Sequence, residues 1–296
     1  MDMVERFPGR AGVWCLMLTA LLLQGCSSLD AWSRGKVYRP TPVAESTAWQ
    51  AMLAQRPEVS SFEVPVGEGE QVTVLKVPAV AGASSRIRVF YLHGTFRHAF
   101  QNLPKAVPMQ AAGLDVYLPD YRGWGVSSPR VPDEVSIHED AWAAWQAVQQ
   151  RANAEGGPPV RWVIYGHSMG SAVAARLARR VAGQQAYCAL VLESALTSFT
   201  DVATEAVGWL GHGLVALGSQ RMALSEDIGK VDPPVWFIHG TLDKTVPWSL
   251  GRRAYELAPE PKHWVALPLG HSNLQQDDTG TYASAWREVA AHCAQP

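Results

Sequence analysis

The chain has 296 residues, room for one large domain or two small ones. Hydrophobic residues make up 47% and charged residues 18%, a balance that excludes wholesale disorder and supports a substantial core. A formal net charge of −2 leaves no electrostatic footprint for nucleic acid, so no nucleic-acid partner is expected.

The first 25 residues do not read as fold. Arg6 and Arg10 form a basic start, diluted by Asp2 and Glu5, and Ala11 to Leu23 is an apolar run too short to span a bilayer comfortably. The run ends in Leu22-Leu23-Gln24-Gly25-Cys26-Ser27-Ser28. This resembles the lipobox of bacterial lipoproteins, although Gln24 stands where a small residue is commoner. The resemblance implies that residues 1–25 are a signal peptide and that Cys26 becomes a lipidated N-terminus. Ser27, in place of an Asp, implies an outer-membrane anchor with the domain in the periplasm. An ordinary signal peptide with an incidental cysteine is the alternative. Residues 26–58, with Pro40 and Pro42, read as a polar tether with a short helical patch near Ser46 to Gln55.

The domain proper is expected over residues 59–296. Ser61 to Val66 and Gln71 to Val77 alternate in polarity around Gly67-Glu68-Gly69, which predicts a hairpin. From Ile87 the strands become continuously apolar and alternate with helices. Ile87 to Leu92 leads into His93-Gly94-Thr95-Phe96, and Leu114 to Leu118 leads into Pro119-Asp120-Tyr121-Arg122-Gly123-Trp124-Gly125. A helix is predicted from about Val135 to Asn153, where Ala141, Trp145 and Val148 share a face. Val160 to Tyr165, Ala189 to Leu192, Val235 to Ile238 and Trp264 to Leu267 are the remaining strands, and Thr281 to His292 a closing helix. Such a pattern predicts an α/β fold with a mostly parallel sheet covered on both faces. Cys188 opens one of these strands and Cys293 closes the last helix, so a disulfide and two buried thiols both stay open. No Cys/His spacing reads as a metal site, and no cofactor is expected.

Ligands bind such sheets at the carboxyl ends of the strands, and the chemistry-bearing residues gather there. Gly166-His167-Ser168-Met169-Gly170 places Ser168 on a strand-to-helix turn. A serine hydroxyl needs a base, and the base needs an orienting acid. His271, after the last strand, is the candidate base, and Asp243, after the strand before it, the candidate acid. Glu193, ending another strand, is the rival acid, and Asp120 reads as structural. The oxyanion would be met by the backbone amides of Met169 and of Thr95, or of Phe96 in place of Thr95.

These motifs, with Asp120-Tyr121-Arg122-Gly123-Trp124-Gly125-Val126-Ser127 and His239-Gly240-Thr241-Leu242-Asp243-Lys244-Thr245-Val246-Pro247, resemble the α/β-hydrolase superfamily. Within it they are similar to serine hydrolases of the serine-aminopeptidase and monoacylglycerol-lipase kind. The resemblance implies hydrolysis of esters, thioesters or amides through an acyl-enzyme, without fixing the substrate. The apolar, glycine-rich stretch between residues 193 and 235 reads as a small lid, which suits an acyl chain, or as a plain core helix. The expected activity is therefore cleavage of a small-molecule or lipid carboxylic ester. A peptidase or amidase, or an envelope-binding lipoprotein without turnover, are the alternatives.

Overall fold

A computed structural model describes residues 30–67, 69–80, 86–156, 159–209 and 219–295. The signal-like segment and Cys26 lie outside the described residues, as does part of the lid stretch, 210–218.

Eight strands form one sheet: β1 (Ser60–Val66), β2 (Glu70–Val77), β3 (Ile87–Leu92), β4 (Asp115–Asp120), β5 (Arg161–His167), β6 (Ala189–Glu193), β7 (Val235–Gly240) and β8 (Lys262–Leu267). Their order is β1-β2-β4-β3-β5-β6-β7-β8. β2 pairs antiparallel with β1 and with β4, while every pairing from β4 to β8 is parallel. The order reverses at β3, which runs between β4 and β5, and the nucleophile candidate follows β5 at that switch point.

Successive strand residues point to opposite faces, so a strand covered on both sides must be apolar throughout. β3 shows the rule. Phe90 and Leu92 enter one core, while Ile87, Val89 and Tyr91 enter the other. On the first face lie α4 (Glu134–Ala154), α5 (Met169–Arg180), the short α7 (Leu224–Asp227) and α8 (Trp248–Leu257). On the second lie α3 (Leu103–Ala111) and α9 (Thr281–Ala294), with Leu103, Ala106, Met109, Tyr282, Trp286 and Val289 buried. α4 starts because Asp133 accepts a 2.8 Å bond from the Ser136 amide while the Ser136 side chain reaches back to the cap. This is the α/β-hydrolase fold.

The described part of the expected tether is not a tether. Residues 30–38 are helical (α1), and Tyr38 is fully buried, its hydroxyl donating to Gln220 at 2.6 Å and its ring 5.8 Å from Phe199. Val43 then donates to the Gly125 carbonyl at 2.6 Å, and the Gly125 amide to Thr41 at 3.1 Å. α2 (Ser46–Ala54) seats a buried Trp49 against His98 and Phe100. Two large rings that gain by leaving water outweigh the prolines and serines that suggested a loose linker. Residues 30–58 thus belong to the packed body.

Cys188, just before β6, and Cys293, in α9, form a disulfide with Cα atoms 5.4 Å apart across a sequence separation of 105. Closing so long a loop restricts the unfolded chain strongly. Replacing both cysteines by alanine should lower the unfolding free energy by about 2–5 kcal/mol, read from the urea midpoint. An unchanged midpoint contradicts this.

Candidate active site

Ser168 sits at the apex between β5 and α5 with φ 56° and ψ −124°, a left-handed backbone that a serine adopts only under constraint. The glycines on either side supply the constraint. A Cβ on Gly166 would fall 2.2 Å from the Gly170 carbonyl oxygen, and one on Gly170 would fall 2.0 Å from that of Leu92. α5 therefore presses its first turn onto the ends of β3 and β5. The Ser168 amide donates to the Glu193 carbonyl at 2.9 Å, which ties the apex to β6 as well.

The structure brings Ser168, His271 and Asp243 together. The Ser168 hydroxyl lies 2.9 Å from His271 Nε2, and His271 Nδ1 lies 2.7 Å from Asp243 Oδ2. A proton on Nδ1 satisfies both contacts, leaving Nε2 free to accept from the serine. Asp243 is held in turn: its Oδ1 accepts from the Thr245 and Val246 amides, each at 2.9 Å. Burial pushes the Asp243 carboxyl up. The bond and charge of His271, the Val246 amide and the charge of His239 outweigh burial and hold it below the usual carboxylate range.

The loop carrying His271 is pinned from below. Its carbonyl accepts from His167 Nε2 at 3.1 Å and from the Ser194 hydroxyl at 3.3 Å. Burial first, then Lys105 and His271, push the His167 imidazole well below its ordinary value, so it serves as a neutral donor. The Gly270 amide donates to Asn273 at 3.0 Å.

Glu193, the rival acid, does not reach the His271 ring. Its side chain is fully buried and pairs with the Lys105 ammonium, while Tyr165 and Tyr282 donate to its other oxygen at 2.7 and 2.6 Å. Burial and the Glu193 charge push both phenols far above their ordinary range, so they remain donors. Lys105 also donates to Gln275 at 3.2 Å, in the short turn after His271. This network was missed in the sequence. One signal was present: Lys105 stands one helical turn before Met109, on the buried face of α3. Asp120, expected to be structural, caps the segment after β3 through a 2.6 Å bond from the Ala99 amide.

Thr95 and Met169 both line the cavity at Ser168. Met169 opens α5, where a helix amide has no acceptor one turn back. Of the two candidates after β3, the Phe96 amide is directed to the Tyr38 carbonyl at 3.4 Å, which leaves Thr95. A Cβ on Gly94 would stand 3.1 Å from Ser168 Cβ, so this turn lies against the elbow.

The cavity measures about 460 Å³ and is walled by Met169, Leu196, Val246 and the side chains Phe199, Val202 and Ala206 of α6 (Phe199–Val207). Its rim comes from Arg34, Val37 and Arg39 of the N-terminal segment. A larger hollow of about 940 Å³, lined by charged side chains of α4 and α5, does not reach Ser168. The apolar character and the position at the hydroxyl make the smaller cavity the one that matters for chemistry.

Comparison with known proteins bears on the family and the fold. A family model described as serine aminopeptidase, S33, matches residues 83–218. The chain is 31% identical over 266 residues to the uncharacterized protein Rv2307c of Mycobacterium tuberculosis, covering 89% of each chain. It is 30% identical over 193 residues to the lysophosphatidylserine lipase ABHD12 of Danio rerio, covering 60% of this chain and 49% of that one. Among solved structures, the Pyrococcus furiosus esterase Pf2001 superposes with a TM-score of 0.67 at 16% identity, covering 86% of this chain and 97% of that one, a likeness of fold.

The buried pair makes a direct stability prediction. Lys105→Met leaves Glu193 without its cation and should cost about 3–5 kcal/mol in urea unfolding. Adding Glu193→Gln, which removes the charge but keeps an acceptor for both tyrosines, should restore at least half of that loss. A cost below about 1 kcal/mol for Lys105→Met contradicts the pairing.

Proposed function

Because the chain belongs to the α/β-hydrolase superfamily, among its serine hydrolases of the S33 kind, we propose that it cleaves carboxylic esters through an acyl-enzyme on Ser168. The observation that carries this reading is the run of contacts from Ser168 through His271 to Asp243, opening onto an apolar cavity.

In the proposed reaction the Ser168 hydroxyl attacks the ester carbonyl as His271 Nε2 takes its proton. The imidazolium that forms is stabilised by Asp243, which stays ionised. The Thr95 and Met169 amides receive the negative oxygen of the tetrahedral intermediate. His271 then gives its proton to the leaving alcohol. A water, deprotonated by His271, releases the acid and regenerates Ser168.

Two observations favour an ester, and a lipid-derived one, over a peptide. An aminopeptidase must hold an ammonium group, yet the one acid among the described residues lining the cavity, Asp30, is paired with Arg34 at 2.8 Å. A lysophosphatidylserine lipase is among the similar proteins. Ser168→Ala should abolish labelling by a fluorophosphonate and lower p-nitrophenyl ester turnover by at least about 10⁴-fold. A wild type that is neither labelled nor active on esters sinks the reading. Turnover of aminoacyl anilides alone replaces it with the peptidase.

Export and a lipid anchor at Cys26 complete the proposal, with the domain in the periplasm at the outer membrane. The lipobox-like run supports it, and so does the Cys188–Cys293 disulfide, which suits an oxidising compartment. Cys26→Ala should move the protein from the membrane to the soluble fraction. Unchanged membrane association argues against the anchor.

A further inference from the structure

The turn that carries the Thr95 amide is strained. The Arg97 amide closes it onto the Thr95 carbonyl at 2.7 Å, with Phe96 between them at φ 50°. A three-residue turn whose central residue holds left-handed backbone is the rare and costly form, and it persists only where its surroundings hold it. On the inner side Gly94 lies against the elbow, and the Tyr121 hydroxyl donates to the His93 carbonyl at 3.3 Å.

On the other side the turn meets residues 38–43, which lie outside the stretch matched by the family model. Both ends of this stretch are fixed. Tyr38 is fully buried, bonded to Gln220 and packed against Phe199, while Thr41 and Val43 bond to Gly125. Between the anchors it grips the turn. The Tyr38 carbonyl accepts from the Phe96 amide at 3.4 Å. The Arg39 guanidinium donates to the Thr95 hydroxyl at 3.3 Å, and its carbon lies 5.0 Å from the centre of the Phe96 ring. Arg39 holds left-handed backbone itself, at φ 47°. Among the described residues it is in no ion pair, whereas the neighbouring Arg34 pairs with Asp30 and Asp133. Arg39 and Thr95 both line the cavity at Ser168.

A donor stabilises an oxyanion best when it is aimed before the charge forms. Holding the Thr95 hydroxyl and the Phe96 amide fixes the plane on either side of Thr95, and with it the direction of the Thr95 amide. We propose that residues 38–43 are a strap that aims the Thr95 amide at the oxyanion, with Tyr38 and Arg39 as positioning residues. The proposal rests on acyl transfer at Ser168, and it holds for an ester or an amide alike.

The test compares the full-length protein with Tyr38→Ala, Arg39→Gln and Thr95→Val, using p-nitrophenyl butyrate and two competitive inhibitors of one chain length. Hexyl trifluoromethyl ketone adds to the serine and places an oxyanion, whereas hexyl methyl ketone binds without that charge. Losing an oxyanion donor outright costs about 10²–10³ in kcat, so misaiming one should cost at least about tenfold in Tyr38→Ala and several-fold in Arg39→Gln, with KM within about twofold. The inhibition constant of the trifluoromethyl ketone should rise by the same factors, and that of the methyl ketone should hold. Adding Thr95→Val, which keeps the amide, to Arg39→Gln should cost little beyond Arg39→Gln alone. Arg39 is exposed, so its variant decides the matter if Tyr38→Ala does not fold. Unchanged kcat in Arg39→Gln, or a loss carried by KM and by both ketones alike, overturns the strap alone. A wild type that turns over neither the ester nor an aminoacyl anilide overturns acyl transfer at Ser168 and the strap with it.

Discussion

The structure depends on how closely α5 is pressed to the sheet. With no side chain at Gly166 or Gly170, the first turn of the helix rests on the main chain of β3 and β5. That contact drives Ser168 into left-handed backbone and lifts its hydroxyl clear of the strands. It also decides the neighbours of the hydroxyl. The turn after β3 comes within reach and brings Thr95. The end of β6 accepts the Ser168 amide, and the loop after β8 brings His271. Any side chain at either glycine would separate the serine from all three at once.

Beneath this surface lies a second constraint, electrostatic in kind. Glu193 sets a carboxylate in the buried interior, which is costly unless the charge is paired and its lone pairs are filled. Lys105 from α3, Tyr165 from β5 and Tyr282 from α9 meet both needs. The main chain of the same residue holds Ser168, and the residue after it holds the His271 carbonyl. Two consecutive residues, Glu193 and Ser194, thus join the second core layer, the nucleophile and the loop of the base.

The contacts legible in the sequence were those carried by local patterns. Continuous apolar strands announced a sheet covered on both faces, and Gly-X-Ser-X-Gly, His239 to Pro247 and Gly270-His271 marked three strand ends where side chains converge. What stayed hidden depends on partners far along the chain. Lys105 meets an acid 88 residues away, and nothing around it in sequence announces that acid. Tyr38 and Trp49 fall within the stretch expected as a tether, and the surfaces they cover, near Phe199, Gln220 and Phe100, come from elsewhere in the chain. The two cysteines left pairing open, since only the meeting of the start of β6 with the end of the last helix decides it.

The packed N-terminal segment has a geometric consequence for the proposed lipidation. Asp30 is already part of the cavity rim, and it follows Cys26 by four residues. Fully extended chain covers at most about 3.6 Å per residue, so the mouth of the cavity would stand within about 15 Å of a lipidated cysteine. That is about twice the depth of a headgroup layer, which adds roughly 5–8 Å to each side of the hydrocarbon core. With the proposed ester cleavage and the proposed anchor together, the chain would work at the membrane interface, taking acyl chains from the leaflet into the space under α6 with little diffusion through bulk water between membrane and serine.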